Sequence, residues 1–502
     1  MNLKHDIIAN FAGKAWSALM ALAFLPLYIR FLGIEAYGLI GVYVSLVALL
    51  AVLDMGLSTT LTRELARLSA APGGEQEARD LTRTFEVIYW GVGILIGGGV
   101  ATLAPAIARH WLNAEGLAHE TVEQSATIMG LLVALQWPTG LYSGGLMGLQ
   151  RQVLMNIVRA AAATLQGGGA VLVLWLVSPT IVAFFAWQIV VSTVLTAVFA
   201  GCLWKSLPKA PGRASFRRNL VVRNWRFAGG MTATAVLVAI LTQSDKITLS
   251  KMLSLEMFGY YALAAAVASA LNYITNPVFS VLFPKLSQVV GRGSEAEISL
   301  IYHKGCQLMT ASVVPVGTIL VLFSEELLML WLRDAITVSN THLLVSLLVT
   351  GGMLNALVIL PYTLQLAYGW TRLVLYVNAV SVALFVPLLI LLVDSYGGRG
   401  AALAWIALNT GYLFVVVPLM HRRLIRKSMG RWYFRDVGMP VGIGLGIGVL
   451  AHLVQPRDVP QLVVLLWILF AYVSTFLCVS LAMPHTREWL KSLVSPVGAP
   501  LL

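Results

Sequence analysis

Residues 28–38 read YIRFLGIEAYG, and residues 249–259 read LSKMLSLEMFG. In this register Arg30 falls on Lys251, Leu32 on Leu253, Glu35 on Glu256, Tyr37 on Phe258 and Gly38 on Gly259. Apolar sequences share leucines by chance. A base, an acid, an aromatic and a glycine matched at fixed spacing are far less common, and they mark an internal repeat. Each copy lies between two long apolar runs, so what is repeated is a pair of membrane-crossing helices with the short connection that joins them.

The whole chain has the same character. It has 502 residues, of which 58% are hydrophobic and only 11% charged, against about 25% charged in a soluble domain. Charge-free windows long enough to cross a bilayer recur throughout, so the sequence predicts an all-α polytopic membrane protein. The spans predicted are 7–30, 37–62, 84–108, 121–147, 152–177, 179–204, 227–250, 257–284, 303–331, 340–367, 372–394, 398–421, 438–454 and 460–483. That is fourteen helices; twelve is the competing count. The first run has no small-residue cleavage site and is too long for a signal segment, so it is expected to be retained as a helix.

Basic residues orient the chain. With the N-terminus in the cytoplasm, most of the 34 Lys and Arg lie in cytoplasmic connections, above all in KSLPKAPGRASFRRNLVVRNWR (205–226) and HRRLIRKSMGRWYFR (421–435). The outer connections hold only Arg30, Arg109, Lys251, Arg333, Arg399 and Arg457. This is the positive-inside pattern, with both termini cytoplasmic. It accounts for the net charge of +12 without nucleic acid. The two repeat copies start six helices apart and so share an orientation, which makes them a parallel repeat about an axis along the membrane normal. The organisation read from this is a six-helix bundle over 1–204, a basic cytoplasmic linker over 205–226, a second bundle over 227–424, and an additional helix pair with a cytoplasmic tail over 425–502.

Several chemistries are not indicated. Cys202, Cys306 and Cys478 stand singly in apolar segments and read as small core residues, with no metal motif. LQGGGAVL (165–172) and GIGLGIGVL (442–450) follow no strand and precede no lysine, so they are helix contacts rather than phosphate loops. No ATP-binding motif and no cofactor are expected. The outer loops are too short to hold a domain, so function must lie among the helices.

Charges inside spans are then the candidate residues. Lys14 follows Asp6 by eight residues and Arg159 follows Arg151 by eight, about 12 Å along a helix. Asp54 precedes Arg63 by nine, about 13 Å from the same face. An anion entering from the cytoplasm would meet Lys14 and Arg159, with Asp54 orienting one of them or carrying a coupling ion. The plainer readings are snorkelling to the headgroups for the bases and a structural partnership for Asp54. Asp245 and Lys246 lie 19 and 20 residues past Arg226, roughly 30 Å, near the outer end of the seventh helix. Neighbours on a helix diverge by about 100°, so one is expected to face a cavity while the other pairs elsewhere. His303 and Lys304 open the ninth helix at the cytoplasmic edge and read first as a snorkelling anchor; with a site as the second reading, Lys304 joins Arg30, in the repeat, to complete the set of candidate substrate contacts. Glu86 is expected at the interface. Pro26, Pro138, Pro277, Pro315, Pro361, Pro387 and Pro418 fall inside spans and predict bends.

Two long segments carry a family resemblance. FLGIEAYGLIGVYVSLVALLAVLDMGLSTTLTREL (31–65) resembles the opening signature of the polysaccharide transporter family, the Wzx-type O-antigen flippases. QSDKITLSKMLSLEMFGYYALAAAVASALNYITNPVFSVLFPKLSQ (243–288) is similar to that family's seventh and eighth helices, where an Asp-basic pair recurs. The resemblance covers 5–70 and 225–330; the remainder agrees in hydropathy only. Its motifs belong to the wider multidrug/oligosaccharidyl-lipid/polysaccharide exporter superfamily, which also holds cation antiporters and lipid II flippases. It implies two bundles in a V around a cationic cavity in the bacterial inner membrane. It also implies alternating-access transfer of an undecaprenyl-diphosphate-linked oligosaccharide, an O-antigen or similar unit, from the cytoplasmic to the periplasmic leaflet. H+ or Na+ is the implied coupling ion, and polysaccharide polymerase machinery the implied neighbour. An O-antigen polymerase or ligase is the enzyme alternative, but those resemble one another in a sizeable periplasmic loop that this chain lacks. A cation antiporter would emphasise buried carboxylates, whereas Lys14, Arg159 and Lys246 here outnumber Asp54 and Asp245.

Overall fold

The computed structural model describes residues 16–457 and 459–494, and among them every regular element is a helix apart from an isolated bridge between Asn113 and Ser254. In chain order the helices are α1 Trp16–Leu32, α2 Ile34–Leu50, α3 Leu57–Ala70, α4 Glu75–His110, α5 His119–Gln136, α6 Pro138–Gly148, α7 Gln152–Leu176, α8 Ile181–Ser206, α9 Arg218–Met252, α10 Leu255–Ala268, α11 Asn272–Arg292, α12 Glu295–Leu322, α13 Ser324–Leu332, α14 Ala335–Ala367, α15 Thr371–Gly411, α16 Val417–Leu424, α17 Met439–Leu453, α18 Gln461–Ala482 and α19 Pro484–Val494.

Ten stretches among the described residues are long and apolar enough to cross a membrane, where hydropathy predicts fourteen. The counts part at four places. α1 is described from Trp16 and is short. The 121–147 run is interrupted at Trp137, after which Pro138 opens α6 in its first turn, where its missing N–H costs nothing. The seventh run lies within the longer α9 and is not one of the ten. The eleventh and twelfth runs are joined into one stretch, Thr371–Leu424, with a reversal at Gly397, whose φ of 57° and ψ of −134° suit glycine. Of the other prolines, Pro418 also sits in a first turn and Pro26 follows the turn at Phe24 that interrupts α1, while Pro277, Pro315, Pro361 and Pro387 lie inside continuing helices.

The chain forms two compact units, Met1–Gly259 and Tyr260–Leu502. In the first, α4 lies along α5, α3 packs on α6, and α8 packs on α5 and α7. Leu61, Leu65, Phe85, Leu141, Leu146 and Phe199 are fully buried in the core these helices share. The repeat copies meet inside this unit, and they meet reciprocally. A Cβ on Gly38 would collide with the carbonyl oxygen of Leu255, and one on Gly259 with that of Ile34, the position equivalent to Leu255. The contact is fastened by the α4–α5 connection. Asn113 accepts from the Leu255 N–H at 2.8 Å, Asn113 Nδ2 donates to the Lys251 carbonyl at 3.1 Å, and Trp111 Nε1 donates to Ser250 Oγ at 3.0 Å. Glu35, the matched acid of the first copy, accepts from the backbone N–H groups of Glu115 at 2.8 Å and Gly116 at 3.0 Å.

The basic linker is docked rather than free. Asp80, only 1% exposed, accepts from the Ser215 N–H at 2.8 Å and pairs with Arg217 Nε at 2.6 Å. Thr84 Oγ1 accepts from the Arg217 N–H at 2.9 Å, and Gln76 Oε1 from the Gly212 N–H at 3.1 Å.

In the second unit α12 is central and packs on α14, α17 and α18. The last two long helices thus pack directly on α12. Their attachment is polar as well as apolar. Asp436, in the π-helical turn Trp432–Gly438 that precedes α17, is fully buried. It is hydrogen-bonded to His303 Nδ1 and accepts from Gln307 Nε2 at 2.8 Å. His303 itself is fully buried, which corrects its reading as an anchor at the membrane edge.

Candidate functional site

The site forms where a helix fails to continue. The 37–62 run reads as one helix in the sequence, but α2 passes into a 3-10 turn at Ala51–Asp54, and Met55 and Gly56 follow with φ of 45° and 73°. A methionine in the left-handed region is strained by about 1–2 kcal/mol. The break exposes the start of α3, and Asp54 serves it: its carboxylate accepts from Ser58 Oγ at 2.8 Å and from the Ser58 N–H at 3.4 Å. A negative charge beside a helix N-terminus is favourable. Tyr89, on α4, gives Asp54 a third donor through its hydroxyl. Counting 1.5 Å per residue back from Arg63 thus overstates how regular this stretch is, because two left-handed residues interrupt the rise.

Asp54 lines a cavity of about 420 Å³ inside the first unit. Its polar wall contains Ser58 from α3, Tyr89 from α4, Gln136 from the end of α5, Ser143 from α6, and Arg159 from α7. Gln136 Oε1 accepts from Tyr43 at 2.5 Å, so the amide is oriented before any ligand arrives. Arg159 makes no hydrogen bond or ion pair among the described residues, and it is exposed to the cavity. Behind this wall lies a second polar layer. Glu86, 6% exposed, pairs with Arg83 at 2.7 Å and accepts from Tyr142 at 2.7 Å and from Trp204 Nε1 at 3.1 Å. Its carboxylate is enclosed by protein and braces α4 against α6 and α8.

The outer candidates behave differently from expectation. Lys246 Nζ bonds both carboxylate oxygens of Asp245 at 3.2 Å and the Thr242 carbonyl at 3.1 Å. Adjacent positions diverge on a helix, but the long lysine stem folds back far enough to close the pair. Lys246 still reaches a cavity of about 280 Å³ whose wall, apart from Ser45 and Ser250, is otherwise apolar, including Leu46, Trp111 and Phe258. Arg30 is exposed at the end of α1 and lines neither cavity. Lys304 is exposed on α12, near His485, whose imidazole is held below its ordinary range by burial and by Arg431 and Lys304. Lys14 lies outside the described residues. Of the candidates read from sequence, Asp54 and Arg159 come together. Tyr89, Ser58, Gln136 and Ser143 join them, and the sequence carries no signal for these four beyond their being uncharged polar residues in apolar runs.

Comparison with known proteins places these features in context. Residues 3–290 match the family described as polysaccharide biosynthesis protein. A Shigella flexneri protein described as "Putative O-antigen transporter" is 22% identical over 417 residues, covering 81% of this chain and 94% of that protein. Among solved structures, the lipid II flippase MurJ in an inward closed conformation superposes with a TM-score of 0.71 at 14% identity, covering 98% of this chain and 99% of that one. An inward-facing multidrug resistance MATE family transporter of the MOP superfamily gives 0.63 at 14% identity, covering 84% and 96%. The likeness to these structures is a likeness of fold.

Proposed function

Since this chain belongs to the polysaccharide biosynthesis protein family, we propose that it is a flippase that carries an undecaprenyl-diphosphate-linked oligosaccharide from the cytoplasmic to the periplasmic leaflet of a bacterial inner membrane. The observation that carries the reading is Arg159: a permanent cation facing a half-polar cavity, with no carboxylate bonded to it among the described residues although Asp54 lines the same wall. A guanidinium in a low-dielectric cleft attracts an anion far more than it would in water, and its fork suits a diphosphate. Asp54, with Tyr89 and Ser58 around it, is the group for H+ or Na+ coupling. Lys14 and Lys246 add positive charge to the path, with Arg30 and Lys304 as outlying contacts. No bond is made or broken, so the protein is not an enzyme in this reading.

Alternating access is supported by the reciprocal contact. Gly38 on Leu255 and Gly259 on Ile34 are what a two-fold relation between parallel repeats requires, since each equivalent position contacts the other's partner. The transporter and flippase descriptions of the relatives agree with this. Complementation tests it. In cells lacking the chromosomal copy, Arg159→Ala at equal membrane levels is expected to lower surface polysaccharide by about tenfold, the loss of roughly 1.4 kcal/mol of binding, whereas Arg159→Lys retains most of it. Wild-type export from Arg159→Ala would sink the role assigned to this cation.

A further inference from the structure

The second unit carries a groove that the transport reading does not use. α15 runs out to Gly397 and returns, so its two limbs lie side by side, and the returning limb continues through the π-helical turn Tyr412–Val416 into α16. Between the limbs is a half-open groove of about 440 Å³, lined by Tyr376, Val380 and Leu384 on one side and Leu408, Val415 and Leu419 on the other. It extends from Tyr376 to Leu388, about 18 Å at 1.5 Å per residue. Three of its lining residues, Tyr412, Val415 and Val416, belong to the π turn. Such turns are rare and concentrate where a helix must re-aim its side chains for function. The groove also has a charged end. One helical turn before Tyr376 stands Arg372, and one turn after Leu419 stand Arg422 and Arg423, all three exposed. Arg423 lies over the Trp370 ring at 4.3 Å, and none of the three is in an ion pair among the described residues.

We propose that this groove holds the tail of a polyprenyl diphosphate carrier, with the two phosphates on Arg372, Arg422 and Arg423. The inference rests on the reading that the substrate is lipid-linked, and it adds a docking site on the second unit's own surface. An apolar channel ending in one charge would fit any membrane lipid. Three arginines without carboxylate partners fit a headgroup with two phosphates, each able to accept a forked pair of N–H donors. A phosphatidylglycerol headgroup, with a single phosphate, leaves part of that charge unmet.

Photolabelling of the full chain in proteoliposomes decides it. A diazirine-bearing undecaprenyl diphosphate is expected to label peptides spanning 376–388 and 408–419, and unlabelled undecaprenyl diphosphate to compete the label away. Replacing Arg372, Arg422 and Arg423 together with Ala should cut labelling at least about fivefold. Because removing basic residues can disturb insertion, a second variant leaves them in place: Val380→Trp with Val415→Trp fills the groove and should cut labelling equally. Equal labelling by diazirine-bearing phosphatidylglycerol, or label that resists competition, would overturn the proposal and leave an ordinary boundary-lipid surface. The outcome is separable from the transport reading. Arg159→Ala should leave groove labelling intact, and labelling retained in a protein that moves no oligosaccharide would strike the transport reading while the groove stands.

Discussion

Asp54 and Arg159 line one cavity with opposite charges, yet Asp54 is held by Tyr89 and Ser58 and makes no ion pair with Arg159. The arrangement keeps the acid and the base chemically separate, so their replacement should have different effects. Asp54→Asn keeps the shape and two of the acceptor sites but removes the titratable charge. If Asp54 carries the coupling ion, Asp54→Asn is expected to abolish the dependence of transport on an ion gradient while oligosaccharide-lipid binding to the purified protein stays within about twofold, which is under 0.5 kcal/mol. Gradient dependence that survives in Asp54→Asn would assign Asp54 to architecture. Tyr89→Phe removes one donor from the carboxylate and should cost about 1.5–3 kcal/mol in stability, the range for a hydrogen bond to a charged group, read as a lower Tm in detergent. At this scale the sequence was informative about charges and little else. An arginine or aspartate in an apolar run is visible because it is costly there. A tyrosine or glutamine is common in such runs, and only the fold shows that Tyr89 and Gln136 share a wall with Asp54. The Asp245–Lys246 pair misled for a related reason: helical geometry separates their backbones, but a four-carbon stem spans the difference.

Among the elements, the reciprocal contact of Gly38 with Leu255 and Gly259 with Ile34 makes the sharpest demand. The obstacle at each glycine is a backbone carbonyl, which cannot swing aside as a side chain can. Gly38→Ala and Gly259→Ala should therefore each destabilise the protein by about 1–3 kcal/mol, as overpacking does, and by similar amounts because the positions are equivalent. Gly99→Ala, on α4 with open space around it, is the control and should leave Tm unchanged or slightly raised. Unequal effects at Gly38 and Gly259 would argue against their equivalence. The sequence placed these glycines in register; that each abuts the other copy's backbone needed the structure. A second element-scale test concerns His303 and Asp436, which join α12 to the turn before α17. Removing one partner leaves a buried polar group stranded, so His303→Ala or Asp436→Ala should cost about 3–5 kcal/mol. The joint change His303→Leu with Asp436→Leu should recover much of that loss in the same thermal measurement. Equal loss in the double variant would mean that shape, and not the unmatched group, governs the site. The sequence hid this pair because 133 positions separate its members and Asp436 directly follows a basic run.

For the molecule as a whole, the distribution of charge is the feature that bears on orientation in the membrane. Basic residues gather in the 205–226 linker and around 421–435, and the structure shows the linker docked through Asp80 and Thr84 to the first turns of α4. Docking fixes the linker to the same end of the first unit as the start of α4, so one orientation of α4 settles the side of both. The connection between α4 and α5, braced by Glu35 and Asn113, lies at the opposite end of α4. The positive-inside rule then predicts that the linker faces the cytoplasm and the Glu115 region the outside. A cysteine-free background, with Cys202, Cys306 and Cys478 replaced, allows this to be read directly. Asn219 and Ala118 are exposed and uncharged, and replacing either with Cys leaves the charge balance unaltered. A membrane-impermeant maleimide is expected to label Ala118→Cys in intact spheroplasts and Asn219→Cys only after permeabilisation. The reverse pattern would turn the first unit over, place the Arg159 cavity toward the wrong leaflet for export, and remove the direction from the flippase reading while leaving its binding chemistry intact.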